Sequence, residues 1–95
     1  MKLIISEAAV ADLARLRAFL ADKNPGAAER VAAMLVAAIQ SLDFFPERGR
    51  PSGTPNVREL IVPFGRSSYV LRYGYSAGED EVAIIRIWYG REMRD

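Results

Sequence analysis

The chain has 95 residues, of which 51% are hydrophobic and 26% charged, and its net charge is +1. That suits one globular domain and excludes a global field strong enough to pull it onto nucleic acid or an anionic membrane. Cysteine and histidine are both absent, which excludes disulfides, thiolate metal sites, cysteine nucleophiles, the Ser-His-Asp triad and nearly every zinc site. Any chemistry would have to run on carboxylates, Tyr, Lys or Arg, and no metal or cofactor is implied. No apolar run approaches the roughly 20 residues that cross a bilayer. The opening MKLIISEAAV lacks the long apolar core and cleavage site of a secretory signal, so a cytoplasmic protein is expected.

Leu3, Ile4 and Ile5 predict a short first strand. Ser6 is a natural N-cap and Glu7 suits the first turn of a helix over 7–21. Ala9, Leu13, Leu16 and Leu20 recur at helical spacing, flanked by Val10 and Phe19, which leaves Asp12, Arg15 and Asp22 for the wet side. Asn24-Pro25 then reads as the cap and first position of a second helix. Its stripe is Ala28, Val31, Ala32, Leu35, Ile39 and Leu42, and Pro46 stops it near Phe44-Phe45. The short connection makes the two helices an antiparallel hairpin.

ERGRPSGTPN, over 47–56, is the one extended loop. Val57 to Val62 predicts a strand, and Ser68 to Tyr75 another, with Pro63 to Arg66 between them. Ser76 to Glu79 turns the chain into a last strand that forms a hairpin with its predecessor. In that last stretch, DEVAIIRIWYGREMRD, both alternating faces are mostly apolar, the pattern of a strand covered on both sides. Gly90 ends it and a charged tail follows. The expected class is α+β, in the order β-α-α-β-β-β, with a helical hairpin on one face of a mainly antiparallel sheet.

This order, with SEAAVADLARLRAFL, NPGAAERVAAMLVAAIQSL, FFPERGRPS, RELIVP, YVLRYGY and IIRIWYGREMRD, resembles the ParE branch of the RelE/ParE toxin superfamily over nearly the whole chain. Tyr89 stands where typical members carry His before the terminal Gly. The resemblance implies a small toxin held in a hetero-oligomer by a ParD-like antitoxin. ParE members poison DNA gyrase, whereas RelE members cut messenger RNA on the ribosome, and a shared fold does not choose between them. The RelE chemistry implied by the family needs cations on the strand before the hairpin, an Arg on the next strand, and an Arg and a Tyr after the last. Here Val70 follows Tyr69, Leu60 alternates with Arg58, and Glu92 stands two places beyond Gly90. A carboxylate there repels a scissile phosphate. The sequence ends at Asp95 without that Tyr. A binding toxin without catalytic residues is therefore expected, with a divergent ribonuclease or a non-toxic antitoxin-binding module as alternatives. Direct sequence-specific binding of nucleic acid and membrane association are not expected.

Eight of the eleven arginines lie from Arg48 onward, and Arg serves bidentate recognition of carboxylates and phosphates better than Lys. Candidate target-binding residues are Trp88, Tyr89, Arg91, Glu92, Met93 and Arg94, against the plainer alternatives of a core-capping aromatic pair and a solvated tail. Candidates for antitoxin binding are Met34 and Val36, off the main helical stripe, and Arg58, Arg72 and Arg86. Arg86 interrupts a face shared with Val82, Ile84 and Trp88, so it either pairs with a carboxylate, for which Glu59 is the sheet-side candidate, or emerges in a groove that an antitoxin segment fills. Arg48 and Arg50 flank Gly49, where the backbone offers an anion cradle, although solvated loop arginines are commoner.

Overall fold

The computed structural model describes residues 1–92. β1 (Lys2–Ile5) leads into α1 (Glu7–Ala21), whose cap works in two directions. Ser6 Oγ accepts the Ala9 amide at 3.0 Å and donates to the Ile85 carbonyl at 2.9 Å. One hydroxyl thus starts the helix and ties it to the last strand. α2 (Pro25–Ser41) begins with Asn24 Oδ1 accepting the Ala27 amide at 3.1 Å. It ends several residues before the expected stop at Phe44-Phe45. The amides of Leu42, Asp43 and Phe44 donate to carbonyls three residues back, so the last turn tightens and closes before Pro46 can act. Phe44 and Phe45 are left exposed.

Four of the five strands follow the helices: β2 (Arg50–Pro51), β3 (Val57–Phe64), β4 (Ser67–Ser76) and β5 (Glu81–Tyr89). The sheet order is β1-β5-β4-β3-β2, with β1 parallel to β5 and every other pair antiparallel. The two-residue β2 was not expected from sequence; it pairs Arg50 with Glu59 and Pro51 with Arg58 at the sheet's edge. On β3, Leu60 and Val62 are buried while Ile61 between them is exposed, which gives the sheet one covered face. Val31, Leu35 and Ile39 of α2, with Ala9 and Leu16 of α1, pack there against Leu71, Tyr73, Ile84 and Ile87.

The last strand departs from strict alternation. Tyr73 pairs with Ile84 but Arg72 pairs with Arg86, so Ile85 is an extra residue, a β-bulge. Arg86 is therefore not on the face of Val82 and Ile84, as a period of two assigned it. The bulge carries it, together with Trp88, whose register partner is Val70, to the side away from the core. Coverage on both faces is correspondingly incomplete. Ala83, Ile85 and Arg86 are half-buried, while Val82, Ile84, Ile87 and Trp88 are buried.

Candidate functional site

β1 pairs with β5 only as far as Ile5 against Ile84. Beyond that point the backbone of β5 would face outward unpaired, a liability for any strand edge. α1 completes it instead. Asp12 Oδ2 accepts the Ile87 amide at 2.8 Å, and Arg15 Nη2 reaches the Ile87 carbonyl at 3.5 Å. Two helical side chains therefore continue the hydrogen bonding that β1 began. Asp12 does not lie on the wet side of α1; it is 4% exposed.

Asp12, not Glu59, is the carboxylate that faces Arg86 from this layer. Arg86 Nε donates to Oδ2 at 2.7 Å and Nη2 to Oδ1 at 3.1 Å, a fork-on-carboxylate pair. Arg15 Nη2 adds a second donor side chain at 3.2 Å. Burial raises the pKa of this carboxyl, but the bonds from Arg86, the Ile87 amide and Arg15 outweigh it and leave it below its ordinary 3.8. The sequence signal for Asp12 was present: it lies three residues after Ala9 and four before Leu16, the two buried apolar residues of α1. Its polarity hid its place on that stripe.

Arg15 also binds Glu92, just beyond β5. Its Nη1 meets Glu92 Oε2 at 2.5 Å, while Glu92 Oε1 accepts the Tyr89 amide at 2.7 Å. The Glu92 amide in turn donates to the Tyr89 carbonyl at 2.9 Å. Gly90 permits the turn between them. Its amide donates to the Ser68 carbonyl at 2.7 Å, and a Cβ there would stand 2.6 Å from Ser68 Oγ. Among the target-binding candidates, Glu92 is thus held by two structural bonds and Trp88 is buried, whereas Arg91 is exposed. Tyr89 is half-buried, with its hydroxyl 3.1 Å from Ser67 Oγ and its ring 5.6 Å from that of Tyr69. Burial, then the charges of Tyr89 and Glu92, push the Tyr69 phenol above 10.0. Met93 and Arg94 lie outside the described residues.

The face away from the core carries the sheet arginines. Arg72 donates through Nε and Nη2 to Glu59 Oε2, at 3.1 and 2.8 Å, and Arg50 lies 3.8 Å from Oε1 of the same carboxylate. Trp88 lies beneath both guanidiniums, 4.6 Å from that of Arg72 and 5.7 Å from that of Arg86. Arg58 turns toward the loop and donates to the Gly49 carbonyl at 2.7 Å. Gly49 does not cradle an anion, because its amide donates to Tyr73 Oη at 2.8 Å, and that hydroxyl donates onward to the Pro46 carbonyl at 2.8 Å. Arg48 is exposed and reaches Ser41 Oγ at 2.7 Å. On α2, Met34 packs against the core, while Val36 is 44% exposed.

A cleft of about 740 Å³ opens beside Glu92, between the second half of α1 and the β3–β4 turn. Leu16, Phe19, Leu20, Phe64, Tyr69 and Tyr89 give it apolar walls, and Arg15, Lys23 and Arg66 stand among its lining residues. No group of acidic residues able to hold a metal ion occurs among the described residues, and no described helix is long and apolar enough to cross a membrane.

Comparison with known proteins agrees with this architecture. The family model described as ParE toxin of type II toxin-antitoxin system, parDE, matches residues 3–94. The chain is 42% identical to Toxin RelE1 of Caulobacter vibrioides over 91 residues, covering 96% of this chain and 95% of that one. Toxin RelE3 of the same organism is 36% identical over 83 residues, 87% of each chain. Among solved structures, the chromosomal ParDE TA system from P. aeruginosa superposes with a TM-score of 0.76 at 25% identity, over 94% of this chain and 95% of that one. A match across nearly the whole sequence, on a helical hairpin and mixed sheet of this order, places the chain in the ParE family of type II toxins.

Proposed function

We propose that this toxin acts by binding DNA gyrase and holding its cleaved-DNA state, that it does no chemistry of its own, and that a ParD-like antitoxin neutralises it. The observation that carries this reading is Glu92. It stands where a phosphate-cleaving relative would place a cation, and its two oxygens are engaged by Arg15 and the Tyr89 amide. A fixed negative charge at that point opposes the build-up of charge on a phosphate. Arg58 and Arg72, the sheet cations a nuclease would need, are bonded to the Gly49 carbonyl and to Glu59. Exposed Arg91 remains as a cation for recognition, by a carboxylate of the target or a nearby DNA phosphate. Purified protein incubated with gyrase and supercoiled plasmid should lower supercoiling and accumulate cleaved DNA. Unchanged supercoiling with no cleaved DNA at excess protein removes gyrase as the target.

A second reading is favoured by the RelE names of the Caulobacter relatives: a divergent ribosome-dependent ribonuclease using Arg58, Arg72 and Arg91. It requires messenger cleavage in growth-arrested cells that disappears on Arg91→Ala. Intact transcripts during arrest would exclude it.

A further inference from the structure

We infer that the outer face of α2 docks against the same face of a second copy of this chain, the two helices running antiparallel about a two-fold axis between Val36 and Ala37. The inference is independent of the gyrase reading and gives the toxin a partner when no antitoxin is bound.

The composition of α2 sets the problem. From Val31 to Leu42 no residue is charged, on the outward side as well as toward the core. The exposed positions there are Ala33, Val36, Ala37 and Gln40, so a single amide is the exposed polar side chain over about three turns. The face continues past the helix end into Phe44, which is 77% exposed, and Val36 itself is 44% exposed. A helix open to water ordinarily puts charges on its far side, and α1 does so with Glu7, Arg15 and Arg17. An apolar outer surface belongs to a helix that is packed on both sides.

Charge identifies the occupant. Arg30 stands just before the uncharged stretch and Asp43 just after it; both are exposed, and neither makes an ion pair among the described residues. Arg30 lies as many positions before the point between Val36 and Ala37 as Asp43 lies after it, about 10 Å along the axis in each direction. Antiparallel docking about that point brings each Arg30 to the end that carries Asp43 and Phe44 in the other copy. A carboxylate and an aromatic face are both groups that a guanidinium favours. The helix dipoles then oppose one another as well. Glu29, the acid next to Arg30, is already held by Arg17. A face with a cation at one end and an acid at the other is complementary to itself, which a two-fold interface requires. One helix pair is a contact at the small end of specific interfaces, so the dissociation constant should lie in the micromolar range. No residue of this face belongs to the Asp12, Arg15 and Glu92 network, which the dimer leaves undisturbed.

Sedimentation equilibrium of the purified toxin should show monomer passing to dimer as concentration rises through the micromolar range. Ala37→Glu sets two carboxylates across the axis, and Phe44→Ala removes an aromatic anchor; each should weaken the dimer about tenfold. Both positions are exposed, so the fold should be kept, and circular dichroism checks it. Arg30→Asp or Asp43→Arg should also cost about tenfold, since symmetry counts every change twice, and the two together should restore association. A chain that stays monomeric throughout overturns the inference. So does a dimer that ignores Ala37→Glu and Phe44→Ala, which then forms through another surface. A charge exchange that fails to restore association overturns the antiparallel register. Antitoxin binding that falls on Ala37→Glu, in a toxin that is monomeric alone, assigns the face to the antitoxin and overturns the second copy. Failure of the gyrase assay leaves the dimer standing, and failure of the dimer leaves the gyrase reading standing.

Discussion

Asp12 joins the parts of this molecule that a short first strand leaves apart. Four donor atoms of Arg86, Arg15 and the Ile87 backbone converge on one buried carboxylate. Asp12→Ala should cost about 3 kcal/mol in urea unfolding, the lower end for breaking a buried pair, because half-exposed Arg86 can rehydrate. Its folded pKa lies below the ordinary carboxyl value, so its contribution is fully present above the unfolded pKa. It is lost as pH falls through the folded one. Acid titration of stability should therefore show an arm below the ordinary carboxyl range that flattens in Asp12→Asn. Gly49 is a second single-residue constraint. A Cβ there would stand 2.7 Å from Tyr73 Oη and 3.0 Å from the Glu59 carbonyl carbon. Gly49→Ala should destabilise by about 1–3 kcal/mol through overpacking and disturbance of the Tyr73 hydrogen bonds. A thermal melt that does not move would refute that account.

Elements differ in how firmly they are joined. Ser6 both caps α1 and bonds the Ile85 carbonyl, so Ser6→Ala should lose about 1–2 kcal/mol, at or above the usual cap effect. Arg17 and Glu29 bridge α1 to α2, but both are mostly exposed. Arg17→Ala should change stability by no more than about 0.5 kcal/mol, and chemical denaturation of the two variants side by side separates the cases. The helices, their caps and three long strands were legible in the sequence because local periodicity and turn chemistry determine them. The bulge at Ile85 and the partners of Asp12 on β5 were not. Both depend on where β1 stops relative to β5, a relation between segments some eighty positions apart that no local pattern carries. The same gap misdirected Arg86 toward Glu59, which Arg72 and Arg50 engage instead. Of the candidate site, the position of Arg91 and Glu92 just beyond the last strand was legible in the sequence; the Arg15–Glu92 tie, which joins that stretch to a helix far away in sequence, was not.

At the scale of the whole molecule, the core of helices and sheet is separable from the chain end it presents. Removing residues 91–95 takes away Arg91 and Glu92, neither of which is a member of the apolar core. Growth inhibition on induction should fall sharply, while the antitoxin should bind as well as before. Loss of both properties would mark the end as part of the fold. Trp88 makes these events directly observable. It is the sole tryptophan of the chain, buried next to the terminal turn and overlaid by the guanidiniums of Arg72 and Arg86. An indole so placed has an emission sensitive to the guanidiniums beside its ring. The toxin thus contains an intrinsic optical probe at the last strand, next to the turn at Gly90, and stopped-flow fluorescence can time the arrival of a partner there without a dye.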